Sequence, residues 1–351
     1  MLFPVANIPL LDWTLKKLAK NNVKQAILAV NYMADSFIKR YGRKVYGMKI
    51  FYSRDLRPAP ETFSPFRKLG TGGPIKRAER LIGHKEPFLV LNGDILTNIN
   101  YAEFMKKHEA SGAIATIALH EVEDPSRYGV VELTNEGRII RFVEKPTRQE
   151  APSNLINAGI YALNPEIFDH IPEGRPVSIE REIFPKLAEE GKLYGYNFQG
   201  YWTDIGKPSD YLKANRLLLD IEIKREKLSK NAALESESEI HRPCIIGGNV
   251  TIGSKSKIGP YAAIGENVTV GKGVLVENSI IFPRTIISDF ASIKGAIIGE
   301  ASMIGRWVKI ESGCIVGDHA MIQDNITLTQ GVSVCPFKEV TESVLTPKCL
   351  M

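Results

Sequence analysis

CIIGGNVTIGSKSKIGPYAAIGENVTVGKG, residues Cys244–Gly273, decides how the C-terminal part of this 351-residue chain folds. An aliphatic residue recurs at every sixth position, Ile246, Ile252, Ile258, Ile264 and Val270, and a glycine follows each one. A helix would repeat at three and four residues and a half-buried strand at two. A six-residue period with glycine beside it is the pattern of a parallel β-helix, in which successive aliphatic side chains point into one shared core. After a slip around Phe282–Ser288 the period resumes at Ile298, Ile304, Ile310, Val316, Ile322, Leu328 and Val334. Thirteen of the 29 glycines fall between Pro243 and Cys335, as strand-and-corner geometry requires. At three hexapeptides per coil this stretch makes about five coils. A β-sandwich would instead show period-two alternation with turn signals every eight to twelve residues.

Moving toward the N-terminus, the polar stretch Lys224–Glu239 reads as a helix end and a linker, and before it the grammar changes. Gln25–Val30, Phe88–Asn92 and Ala113–Leu119 are short apolar runs that read as buried strands. Leu11, Leu15 and Leu18 place an apolar stripe on one helix, and Ile179, Ile183 and Leu187 do so on another. Pro208 suits the first position of a helix carrying Tyr211, Ala214 and Leu218. Strands alternating with helices predict an α/β domain of parallel βαβ units, which binds ligands at the carboxyl ends of its strands. The expected organisation is an α/β domain at 1–228, a linker at 229–242, and the β-helix with its tail at 243–351.

Composition bounds the function. Apolar residues make up 44% and charged residues 24%, ordinary for a globular chain with a sizeable core. Lys and Arg number 45 against 40 Asp and Glu, a scattered excess that does not point to nucleic acid and leaves anionic small ligands open. The four cysteines, Cys244, Cys314, Cys335 and Cys349, have no CxxC spacing and read as reduced thiols of a cytosolic protein. No apolar run is long enough to span a bilayer, and MLFPVANIPLLDW lacks the basic region of a signal peptide. The six histidines show no ligand spacing, so no zinc site is expected. His319, a candidate base for acyl transfer on a β-helix, reads first as a surface residue.

Several motifs carry possible chemistry. Asp94 ends FLVLNGD just past a strand's carboxyl end, where a carboxylate can hold Mg²⁺ on phosphate oxygens. Taken alone, Asn92-Gly93-Asp94 reads first as a turn. Asp204 in GYWTDIG has the same two readings. Gly70-Thr71-Gly72-Gly73 precedes a helix expected over Pro74–Leu81 and offers main-chain N–H groups to an anion or a nucleobase edge. It is not a Walker loop, because no Gly-Lys-Ser/Thr follows. Lys145, held before Pro146, can place a point charge on a phosphate, and the Asn157 amide can bind sugar hydroxyls. Each of these, alone, is also ordinary strand-end or turn chemistry.

In order along the chain, LGTGGP, FLVLNGD, RYGVVE, FVEKP, INAGIY, SIEREIFPKL and GYWTDIGKPSDYL, followed by the hexapeptide repeat, resemble the sugar-phosphate nucleotidyltransferase family. Within it the likeness is closest to the branch that joins GTP to mannose 1-phosphate. The resemblance spans nearly the whole chain. It implies a Rossmann-like nucleotidyltransferase domain followed by a left-handed parallel β-helix. It also implies that an NTP and a sugar 1-phosphate give nucleotide-sugar and pyrophosphate. Carried over position by position, it makes Asp94 and Asp204 the Mg²⁺ ligands and puts Lys145 on the sugar phosphate. Glu144, Asn157 and the Gly129 backbone take the sugar, while Gly70, Thr71 and Gly73 line the nucleobase pocket, with Asn92 also among the ligand-binding residues. Homo-oligomers through the β-helix are expected, with neither nucleic acid nor membrane as partner.

Three departures qualify this. In the family a strand, a glycine-rich phosphate loop and a Pro-Lys-Pro turn come before a stretch like Leu2–Asn7. With Met1 directly before that stretch, the chain as written is expected to lack the central strand and the triphosphate loop. Ile8 stands where the family has a basic residue, and Asp55–Lys68 is longer than usual before the nucleobase loop. Two alternatives stay open: a non-catalytic regulatory or assembly subunit that binds nucleotide-sugar, and a sister activity on glucose 1-phosphate with dTTP or UTP.

Overall fold

The structure, a computed structural model, describes residues 1–30, 33–54, 69–223, 226–229 and 231–351; Asp55–Lys68 lies outside the described residues. The chain divides into two compact units. One comprises 11–203 with Leu2, the other 3–10 and 204–351 with Met1.

The elements begin with β1 (Pro4–Val5), β2 (Ile8–Pro9), α1 (Leu10–Lys20), β3 (Gln25–Val30), α2 (Ala34–Tyr41), β4 (Lys44–Val45) and β5 (Met48–Arg54). After them come α3 (Gly72–Ile82), β6 (Phe88–Leu91), β7 (Ile95–Thr97), α4 (Tyr101–Ser111), β8 (Ala115–Glu121), β9 (Gly129–Leu133), β10 (Ile139–Glu144) and β11 (Leu155–Leu163). The series ends with α5 (Ile167–His170), a π-helical turn (Ile179–Ile183) leading into α6 (Phe184–Glu189), β12 (Leu193–Asn197), β13 (Trp202–Asp204) and α7 (Pro208–Leu218).

In the first unit the main sheet runs β10-β9-β11-β8-β12, with β6 also on β11, and a smaller sheet runs β3-β5-β4. The expected parallel pairing holds for β8–β12 and β3–β5, but β11 is antiparallel to β6, β8 and β9, so the sheet is mixed. One cause is local. β9 and β10 are joined by a tight turn in which Gly137, at φ 85°, donates to Thr134, and so short a link can only make a hairpin. Of the runs expected to be buried strands, β8 is buried from Ala115 to Leu119, whereas β3 and β6 are half-exposed. Among the described strands, β3 pairs only with β5 and β6 only with β11. Apolar clusters cover the sheet: Leu11, Leu15 and Leu18 of α1 pack in one, Ile179, Ile183 and Leu187 in another.

The second unit is a parallel β-solenoid of about seven turns, built, among the described residues, as three ladders of eight, seven and six short strands. More turns form than the clear period suggests, because coils extend beyond it at both ends. The stretch 229–242, placed as a linker in the sequence, carries strands Ala233–Leu234 and Glu239–Ile240 that pair in parallel with the next coil. Leu228 and Leu234 continue the six-residue spacing but are exposed, since an end coil is covered on one side only. The slip is also explained. Ile246 pairs with Ile264, eighteen residues on, whereas Ile264 pairs with Ile281 and Ile281 with Ile298, seventeen residues on. Two coils are thus one residue shorter, and Ile281, Ile287 and Ile293 still point inward.

The glycine after each aliphatic residue is a matter of space. A Cβ on Gly253 would lie 2.6 Å from the Gly271 carbonyl carbon of the next coil. A second inward column carries small residues. Among them, buried Ser256 donates to the Gly271 carbonyl at 2.8 Å and accepts from the Val274 N–H at 3.0 Å, so its hydroxyl is satisfied.

The hairpin β1–β2 belongs to this unit. It turns through Ala6 and Asn7, both at positive φ. Ala6 N–H donates to the Asn215 side chain at 2.9 Å, Asn7 donates to the Ile264 carbonyl at 2.6 Å, and Tyr211 donates to the Pro4 carbonyl.

Candidate active site

The first unit gathers most of the motifs. Leu69–Gly72 forms a main-chain clasp with Val177: Val177 N–H donates to the Leu69 carbonyl and Gly72 N–H donates to the Val177 carbonyl, both at 2.9 Å. A Cβ on Gly70, at φ 71°, would run into the Val177 carbonyl, so the loop's close approach requires glycine there. α3 starts at Gly72, two residues before the expected Pro74, because the glycines are already helical.

Thr71 donates its hydroxyl to Glu180 Oε2 and accepts from the Ile179 N–H at 3.0 Å. Glu180, in the π-helical turn, is only 8% exposed. Ser178 donates to the same Oε2 at 2.9 Å, and the Tyr161 hydroxyl donates to Oε1 at 3.2 Å. Asn157 Nδ2 in turn donates to the Tyr161 oxygen at 3.1 Å. One buried carboxylate therefore links the glycine loop to the asparagine on β11. This residue was missed in the sequence, although it stands inside SIEREIFPKL. Its signal was a carboxylate at a position whose helical neighbours Ile179 and Ile183 face the core.

β11 breaks register with β8 between Asn157 and Tyr161, and Gly159, at φ 69°, lies in the break. The Gly159 carbonyl accepts from the Asn92 N–H at 2.9 Å, and a Cβ on Gly159 would lie 2.7 Å from Asn92 Nδ2. The bulge thus sets Gly159 against Asn92. Trp202 donates its indole N–H to the Ala158 carbonyl at 2.9 Å and meets the Tyr128 ring edge-on at 5.3 Å. It is a second residue the sequence reading left without a role.

Gly129 and Glu144 face each other across β9–β10. A Cβ on Gly129 would sit 2.8 Å from Glu144 Oε2 and 2.6 Å from the Phe142 ring, so only glycine leaves room for that carboxylate. Burial, and then the Glu180 charge, hold the Glu144 carboxyl above the ordinary carboxylate range, while Lys145 opposes them. Lys145 is exposed and adopts φ 52°, a strained conformation for a non-glycine residue, fixed by its N–H bond to the Tyr128 carbonyl at 2.9 Å.

Asp94 sits in the turn after β6, exposed, with no hydrogen bond or ion pair among the described residues. Asp204 ends β13, half-buried, and falls in the other unit. No group of three or more His, Cys, Asp or Glu side chains suited to a metal occurs among the described residues. His319 lies on the solenoid surface, stacked on Phe337 at 4.8 Å.

Residues 1–221 match the family "Nucleotidyl transferase" and residues 229–350 the "GMPPB C-terminal domain". The chain is 41% identical to "Mannose-1-phosphate guanyltransferase" of Yarrowia lipolytica, over 98% of this chain and 92% of that protein. It is 39% identical to the protein of that name in Aspergillus oryzae, with the same coverage. Identity to "Mannose-1-phosphate guanylyltransferase catalytic subunit beta" of Dictyostelium discoideum is 36%, over 99% of this chain and 92% of that one. Among solved structures it is similar to HddC from Yersinia pseudotuberculosis complexed with GMP-PN, with a TM-score of 0.50 and 27% identity over 62% of this chain and 88% of that one. A Bacillus anthracis structure titled as a putative glucose-1-phosphate thymidylyltransferase superposes with a TM-score of 0.55 at 23% identity, over 63% and 87% of the two chains, a likeness of fold.

Proposed function

The chain belongs to the nucleotidyl transferase family, and from that premise we propose that it transfers a guanylyl group from GTP to mannose 1-phosphate, releasing pyrophosphate. The observation that carries this reading is the hydrogen-bonded chain Thr71–Glu180–Tyr161–Asn157, running through the buried Glu180 and Tyr161, which ties a glycine loop suited to a base edge to an amide suited to sugar hydroxyls.

In this reading Gly70, Thr71 and Gly73 receive the base and Asn92 lies against the nucleotide. Glu144 and Asn157 take sugar hydroxyls beside the Gly129 backbone. Lys145, held out at the strand end, neutralises the sugar phosphate whose oxygen attacks the α-phosphorus. Catalysis is then mainly positioning and charge neutralisation. Asp94 and Asp204 are each candidate ligands for Mg²⁺, which would supply charge neutralisation on the departing pyrophosphate.

The test is pyrophosphate release with GTP and mannose 1-phosphate, set against dTTP or UTP with glucose 1-phosphate. Faster turnover of the second pair would assign a sister activity. Tight GDP-mannose binding without turnover would assign a non-catalytic subunit.

Self-association belongs to the solenoid. Ile286, Met303 and Met321 pair on neighbouring strands with exposed side chains, and Phe290 stacks on Trp307 at 4.3 Å, both exposed. Exposed apolar rows of this kind are buried by association, and a second copy of the chain offers the matching surface.

A further inference from the structure

The four cysteines fall into two pairs of opposite character. Cys244 and Cys314 are fully buried in the solenoid core, and burial raises both thiols, Cys244 to about 11. They are inert packing residues. Cys335 is half-buried and Cys349 exposed, and their sulfurs lie 3.8 Å apart.

Cys349–Leu350 is the last strand of the eight-stranded ladder and, among the described residues, pairs only with Ser333–Val334. Two main-chain bonds flank the sulfurs: Cys335 N–H donates to the Leu350 carbonyl at 2.8 Å, and Ser333 N–H donates to the Lys348 carbonyl at 2.9 Å. The pairing therefore holds the two thiols in van der Waals contact at the end of the fold. Closing to a bond of about 2.0 Å requires only side-chain rotation and a small approach of the strands.

We propose that Cys335 and Cys349 are a reversible dithiol–disulfide site that ties the terminal strand to the solenoid. The oxidant is a low-molecular-weight disulfide. One cysteine thiolate attacks it, forming a mixed disulfide and expelling one small thiol. The second cysteine thiolate then attacks the protein sulfur of that mixed disulfide and expels the other small thiol. The two cysteines lose two protons and two electrons in total, and the small disulfide is reduced to two thiols. Because the bond ties this strand to its partner in the ladder, oxidation suppresses fraying of the strand.

The experiment incubates the full chain with oxidised glutathione, then alkylates it and measures intact mass and linked peptides. The expected product has lost two hydrogens, carries a Cys335–Cys349 link, and returns to the dithiol with excess reduced glutathione. Carboxypeptidase release of Met351 and Leu350 slows in the oxidised form. C335S and C349S each retain one glutathione adduct, form no link and show no protection. A wild-type chain that gathers two stable glutathiones, links between molecules, or keeps both thiols free overturns the proposal. So does a linked chain that is digested as fast as the reduced one.

Discussion

The hydroxyl of Tyr161 donates to the buried carboxylate of Glu180 across 3.2 Å, joining the middle of β11 to the turn that clasps the glycine loop. Glu180→Ala removes the acceptor shared by Thr71 and Tyr161 and strands the buried Tyr161 hydroxyl, and breaking a buried hydrogen bond to a charged group costs about 1.5–3 kcal/mol. The expected outcome is a rise in KM for both GTP and mannose 1-phosphate of roughly tenfold or more, with Glu180→Gln in between. Steady-state kinetics with each substrate varied separately checks it. A lowered melting temperature with both KM values unchanged would make Glu180 a folding residue only.

Glu144 sets stability against binding. Its carboxyl is raised in the folded chain by burial and by Glu180, so the folded state takes up the proton more readily than the unfolded chain does. Its favourable contribution is therefore present at low pH and is lost as pH rises through the folded value. Glu144→Gln should raise the melting temperature at pH 7, lose that advantage toward pH 4, and weaken sugar-phosphate binding. Melting curves at both pH values decide this; a destabilised variant at neutral pH contradicts it.

His108 works in the opposite direction. It is fully buried, its Nδ1 lies 2.8 Å from the Thr116 hydroxyl, its Nε2 has no partner among the described residues, and burial lowers its pKa. The unfolded chain takes the proton first. Stability from the neutral ring is thus present above the unfolded value near 6.5 and is lost as pH falls through the folded value. Denaturant midpoints between pH 7.5 and 5 should fall more steeply for the wild type than for His108→Gln. Parallel profiles would assign the acid sensitivity elsewhere.

Two alanines on the solenoid should separate cleanly. Gly253→Ala presses a Cβ to 2.6 Å from backbone of the next coil, an overpacking that costs about 1–3 kcal/mol. Gly248→Ala meets nothing nearer than the Ser229 hydroxyl at 3.6 Å and should be close to neutral. Equal melting temperatures for the two variants would show that the coils shift apart without cost.

Charge on the apolar solenoid face tests association. Met303→Lys combined with Trp307→Glu should move the chain to a smaller species in light scattering and leave the melting temperature within a few degrees. A mass unchanged from the wild type places the interface on another face.

The solenoid was legible because its period is a steric rule repeated many times, with an aliphatic residue inside and glycine where the coils touch. The small inward column was not read. Ser256, Ser279, Thr285 and Ser302 look like surface residues until their hydroxyls are seen bonded to main chain within the core. In the first unit, helices with a clear stripe such as Leu11, Leu15 and Leu18 came through, while sheet direction did not. The register break at Asn157–Tyr161 and the Gly137 turn are long-range or single-residue facts that periodicity does not carry. The candidate site was legible where glycine, proline and polar residues cluster. Glu180 and Trp202 escaped because their roles depend on which strand lies beside them.

The seventeen- and eighteen-residue coils make length a modular property of the solenoid. Excising one complete eighteen-residue coil, cut at equivalent corners, returns all three ladders to their register and shortens the solenoid by one strand spacing, about 4.8 Å. Removing six residues instead moves every later strand onto a neighbouring side. Evolution or an engineer can therefore vary the reach of this module in whole steps, like links of a chain, without reopening its core.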